Sequence, residues 1–170
     1  MKYRTLVAAF GIAALLAVQV HAGPAPSGSS SILEFSTMTP VTGPYVGTTN
    51  PIRGIPGGGL PWLINSAKGE LKSSGKLEIE VTGLVLSNDP VVPVAVQLTN
   101  PLPTFRAVVS CQSIDSNKLP TVVNVSTDAF PATHAGDSEI EATVTLPTPC
   151  IAPIVFVTTP SGAWIASTGH

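Results

Sequence analysis

The sequence predicts an all-β domain, an antiparallel β-sandwich of about 7–9 short strands that is immunoglobulin-like only in the loose sense. Three observations carry that expectation. Lys76-Leu77-Glu78-Ile79-Glu80-Val81-Thr82 alternates strictly, and Glu139-Ile140-Glu141-Ala142-Thr143-Val144-Thr145-Leu146 repeats the pattern. A period of two places the apolar residues on one face of a strand and the polar ones on the other. Further short segments rich in Val, Ile, Thr or Phe are bounded by Pro, Gly, Asn or Asp, and no segment reads as a convincing helix.

The elements follow in order. Lys2 and Arg4 precede an apolar run from Leu6 to Val20, and Val20-His21-Ala22 supplies small residues for cleavage after Ala22. That order is a secretory signal peptide over residues 1–22, because the run is shorter than the roughly 20 residues that span a bilayer. Residues 23–31, rich in Gly, Pro and Ser, have almost nothing to bury and read as a flexible leader, so a single sandwich domain is expected over residues 32–170. Within it, residues 39–61 hold Pro40, Pro44, Pro51, Pro56 and Pro61 with Gly43, Gly47, Gly54 and Gly57-Gly58-Gly59. Neither a helix nor a long strand persists through such a stretch.

Besides the two alternating segments, strands are expected at residues 31–38, 63–71, 91–98, 104–113, 119–126, 152–158 and 163–167. Ser73-Ser74-Gly75 and Pro160-Ser161-Gly162 read as hairpin turns, and Asn50-Pro51, Asp89-Pro90 and Asn100-Pro101 as turn starts. The strict immunoglobulin pattern fails. No Trp lies between the two cysteines and no Tyr stands two residues before the second. Cys111 and Cys150 are the only cysteines, and in a chain bound for an oxidising compartment they are expected to form a disulfide.

Composition excludes several functions. Of 8 Lys and Arg, two fall in the signal peptide, leaving six scattered bases against 10 acids. Nucleic acid is therefore not an expected partner, nor is an anionic membrane surface once the signal is cleaved. His134 and His170 are the only histidines after the signal, too few for a zinc cluster or a histidine-dependent triad. No nucleophile-elbow or phosphate-loop motif is present, and no cofactor is expected.

Two sites are worth naming. Asp137, Glu139 and Glu141 stand at every second position of one strand, as do Glu78 and Glu80, so they share faces that suit a calcium ion or, more weakly, the paired carboxylates of a hydrolase. The plainer reading is a solvated strand face balanced by Lys72 and Lys76. The second site is a possible ligand-contact loop formed by Arg53, Gly57, Gly58, Gly59 and Trp62, where glycines allow close approach and an indole offers a flat surface.

Thr104-Phe105-Arg106-Ala107-Val108-Val109-Ser110-Cys111, Glu139-Ile140-Glu141-Ala142 and Pro149-Cys150-Ile151-Ala152-Pro153-Ile154-Val155-Phe156-Val157 resemble small secreted bacterial proteins of unassigned function, over roughly residues 62–169. The resemblance implies export and a cysteine pair and brings no activity or ligand. The expected function is a secreted, noncatalytic β-sandwich that binds an extracellular ligand or protein or serves a structural role. A secreted hydrolase or calcium-binding module is the alternative.

Overall fold

The structure, a computed structural model, describes residues 29–169. The expected signal peptide, residues 23–28 of the leader and His170 lie outside the described residues. The strands are β1 (Ser31–Phe35), β2 (Thr39–Pro40), β3 (Trp62–Leu63), β4 (Ser66–Lys72), β5 (Lys76–Thr82), β6 (Val85–Leu86), β7 (Thr104–Ile114), β8 (Pro120–Ser126), β9 (Phe130–Pro131), β10 (Ser138–Thr143), β11 (Ile151–Thr158) and β12 (Trp164–Ser167). Four of these are two-residue pairings, and the other eight are the sandwich strands proper.

One sheet has the order β1-β4-β5-β10, and the other β2-β12-β11-β7-β8 with β9 also on β7; β3 and β6 form a small separate pair. Every strand pairing is antiparallel. The alternation read in β5 and β10 sets the register directly: Ile140 faces Ile79 and Glu141 faces Glu78 across the ladder. Inward residues Leu71, Leu77, Ile79, Val81 and Ile140 of the first sheet join Phe105, Ala107, Val109, Val155 and Val157 of the second in one buried core. The β4–β5 hairpin turns at Gly75 (φ 87°) and the β11–β12 hairpin at Gly162 (φ 92°), both in the left-handed region that favours glycine.

Three expected elements differ. The strand expected at 63–71 is split, because Leu63 pairs with Val85 in the small pair while Ser66 opens β4 opposite Thr82. The strand expected at 91–98 is not a strand; it holds a short 3-10 helix, Val94–Val96, after turns at Asp89 and Pro93. Pro90 and Pro93 remove ladder donors there, and Leu98 sits at φ 57°. The alternation from 139 to 146 ends as a strand at Thr143, ahead of Pro147 and Pro149, although Val144 still donates a backbone bond to Gly75 and stays buried.

The Pro/Gly segment 41–61 is ordered as a third layer against the larger sheet. The Val41 N–H donates to the Ile165 carbonyl (2.9 Å), Gly58 to Trp164 (2.8 Å), and Trp164 to Pro56 (2.9 Å). Tyr45 lies on Trp164 with ring centroids 6.2 Å apart, and Trp164 contacts Phe156 at the same spacing. This cover explains why β12 is buried at all four residues and why residues 155–158 of β11 are buried without alternation. At Gly57 a Cβ would run into the Tyr45 carbonyl oxygen. Gly57→Ala is therefore expected to destabilise by roughly 1–3 kcal/mol, read from urea unfolding, since backbone must move to admit the methyl group.

Candidate functional site

The outward face of β1-β4-β5-β10 is built by register. Glu34 pairs with Glu70, Glu70 with Glu78 and Glu78 with Glu141, so four carboxylates cross the sheet in one row. The neighbouring row runs Lys68, Glu80, Glu139. Like charges placed directly opposite on adjacent strands repel, and lysines at the next positions offset part of that. Lys68 Nζ lies 2.7 Å from Glu80, Lys72 3.4 Å from Glu70 and Lys76 2.5 Å from Glu78. All six of these side chains remain substantially solvated, so the pairs contribute little stability. Above the rows lies a shallow open depression of about 660 Å³ that also touches Phe35 and Gly69.

Hydrogen bonding to Lys76, followed by its charge, holds the Glu78 carboxyl below its usual 4.5, and the same bond raises the Lys76 ammonium above its usual value. The Lys68 ammonium is raised likewise by its hydrogen bond to Glu80. A depressed carboxyl stabilises the fold above its unfolded value, and that contribution disappears as the pH falls through the folded value. Melting temperatures measured from neutral pH downward are therefore expected to drop below about pH 4.5, and to drop less steeply in Glu78→Gln.

The structure brings Glu139 and Glu141 onto this face; Asp137 borders a neighbouring shallow depression with Glu80 and Glu139, but its carboxylate is already engaged. Asp137 braces a turn: its Oδ1 accepts the Gly83 N–H (3.0 Å), and its Oδ2 accepts from the Thr133 hydroxyl (3.4 Å). Among the described residues no group of three or more His, Cys, Asp or Glu side chains is placed to hold a metal ion. His134 is exposed in the turn before Asp137, where its carbonyl accepts the Asn100 N–H.

The ligand-contact loop expected at Arg53, Gly57, Gly58, Gly59 and Trp62 is placed differently. Trp62 is 3% exposed and meets Phe105 edge-on at 6.3 Å, so its indole face belongs to the core. Gly57 and Gly58 are buried beneath Tyr45, Val41 and Ile165, while Gly59 alone of the three is exposed. Trp164 is likewise buried. The reason is the third layer, which turns the loop's apolar residues onto the larger sheet. Comparison of the chain with protein-family models, curated proteins and solved structures finds no match.

Arg53 has a different task from ligand contact. Cys111 and Cys150 form the disulfide, with Cα atoms 4.9 Å apart, and join β7 to the residue preceding β11. Just beyond, the β7–β11 register breaks between Ile151 and Ile154, with Ala152 at φ 45°. The Arg53 guanidinium forks over this break: Nη1 donates to the Ser110 carbonyl (2.8 Å) and Nη2 to the Ala152 carbonyl (2.7 Å). Its own carbonyl accepts from Asn124 Nδ2 (3.0 Å), so one residue links β7, β8 and β11. Partial burial lowers the guanidinium pKa from its ordinary value, and the group stays charged at any physiological pH. Nothing local in the sequence marks this role, since the carbonyls it holds lie 57 and 99 residues away.

Proposed function

We propose that this chain is an exported, noncatalytic β-sandwich that acts by binding or assembly, released into an extracellular or periplasmic space. The observation that carries the reading is the Glu34-Glu70-Glu78-Glu141 row, in which the carboxylates are spread over four strands of an open sheet face. General acid and base work needs carboxyls gathered in a walled cleft with environments that drive their pKa values apart. An open anionic face instead suits reversible contact with cationic groups of a partner. The signal-like residues 1–22, the cysteine pair and the resemblance to small secreted bacterial proteins support the export half of the proposal. Six scattered bases outside the signal disfavour nucleic acid and anionic membranes as partners.

The test is a thermal melt with EDTA and with millimolar calcium, run beside a broad hydrolase screen. An unchanged midpoint and no turnover are expected. A calcium-dependent rise of several degrees overturns the reading in favour of a metal site, and turnover abolished by Glu139→Gln or Glu141→Gln overturns it in favour of an enzyme. Intact-mass measurement of secreted material is expected to give a chain beginning at Gly23 with no alkylatable thiol before reduction. A mass including residues 1–22 overturns cleavage after Ala22, and two alkylatable thiols before reduction overturn the disulfide in the secreted form.

A further inference from the structure

Among the described residues, the four edges of the two larger sheets are guarded unequally. Edge strand β1 carries Glu34 and a register break, β10 carries Glu139 and Glu141, and β2 is two residues long and contains Pro40. Charges, irregularities, proline and shortness are the usual protections against edge-to-edge pairing. Edge strand β8, Pro-Thr-Val-Val-Asn-Val-Ser, is seven residues long and has no charge. Its one guard is Pro120 at the first position.

The unpaired backbone groups on β8 are assigned by neighbouring hydrogen bonds. The Thr127 N–H donates to the Ala107 carbonyl and the Leu119 carbonyl accepts from Asp115, both at 2.9 Å, so odd-numbered residues of this stretch turn toward β7. Even-numbered residues therefore turn outward. The N–H groups of Val122, Asn124 and Ser126, and the carbonyls of these residues and of Pro120, have no partner among the described residues. Val122 is also 43% exposed on the outer face.

We propose that β8 pairs antiparallel with β8 of a second copy of this chain, about a two-fold axis at Val123. The register follows from three facts. Outward residues must meet outward residues, so Val122 exchanges both backbone bonds with Asn124 of the second copy, and the reverse pair repeats them. The Ser126 N–H then meets the carbonyl of Pro120, which places the missing proline donor at the end of the ladder, where it costs one hydrogen bond at each end. In the same register Lys118 of one copy, in the β7–β8 turn at φ 65°, and Asp128 of the other, two residues past the end of β8, lie near each other just outside the ladder at both ends. Both residues are exposed, and neither forms an ion pair among the described residues. The complementarity is thus between the two lone charges that bracket an otherwise neutral edge. An isologous contact of this kind closes at two copies and joins the larger sheets into one continuous sheet. It uses none of the acidic face, so it stands or falls apart from the functional reading above.

Sedimentation equilibrium and light scattering across micromolar concentrations test it. The wild type is expected to dimerise. Val122→Lys, at an exposed position, is expected to weaken association at least about tenfold while leaving the melting temperature of the monomer unchanged. Lys118→Glu and Asp128→Lys are each expected to weaken it severalfold, and the double reversal to restore it. A monomeric wild type, a dimer untouched by Val122→Lys, or a double reversal that fails to restore association overturns the proposal.

Discussion

Ile140→Asp is expected to lower stability by roughly 3–5 kcal/mol in urea unfolding, while Glu141→Gln changes it by less than about 0.5 kcal/mol. The two residues are adjacent in β10 and differ only in the face they take. Ile140 is fully buried, opposite Ile79 and within the core. An aspartate there loses the packing of the isoleucine, and its carboxyl enters an apolar site without a partner, where it must either ionise at high cost or remain protonated. Glu141 is exposed and stands opposite Glu78, so removing its charge relieves a repulsion about as large as any contact it forfeits. Equal losses in the two variants mean that the register is shifted by one residue, since such a slip exchanges the faces of the whole strand.

Replacing both cysteines, Cys111→Ala with Cys150→Ala, is expected to remove about 4 kcal/mol and to lower the melting temperature by more than about 10 °C. The bridge closes a loop of 39 residues in sequence. In the chain-entropy account that closure restricts the unfolded ensemble, so the loss appears as a larger unfolded population at equilibrium rather than as a changed fold. Alanine is the informative replacement because Cys111 is fully buried, and a serine hydroxyl there would add an unsatisfied group to the measurement. Strands β7 and β11 should stay paired, since Val109 and Val155 are in register beyond the Arg53 fork. A double variant as stable as the wild type shows that the bridge contributes nothing in solution.

What the sequence disclosed was governed by which faces meet water. The smaller sheet was legible because one of its faces is solvated, so Leu77, Ile79 and Val81 alternate with Glu78, Glu80 and Thr82. The disulfide was legible from cysteine number and context alone. In the larger sheet the signal blurred, because β11 and β12 are covered on both faces and Val155 through Thr158 show no period. The cover itself, residues 41–61, reads as an unstructured loop by local rules, since its bonds to Trp164, Ile165, Ser110 and Ala152 all come from distant parts of the chain. For the same reason Trp62 and Arg53 could be singled out as unusual residues but not assigned: core packing and a backbone fork leave no local pattern. Residues 91–98 misled by apolar content, as Val91, Val94 and Leu98 are exposed rather than paired.

The placement of β12 has a kinetic consequence. This strand lies inside the larger sheet, between β2 and β11, and its partner β2 comes from near the start of the described chain. Ala166 pairs with Pro40, and Gly57 meets Trp164. Synthesis from the amino end delivers the covering segment long before the strand it rests on, leaving Val41 and Tyr45 without their seats until residues 164–167 have been made. Only the β4–β5, β7–β8 and β11–β12 hairpins can form from neighbouring sequence, and every other large pairing must close a long loop first. Such a topology belongs to the slow end of two-state folding, in milliseconds to seconds, so the chain remains an open, threadable polymer for as long as its last strand is missing.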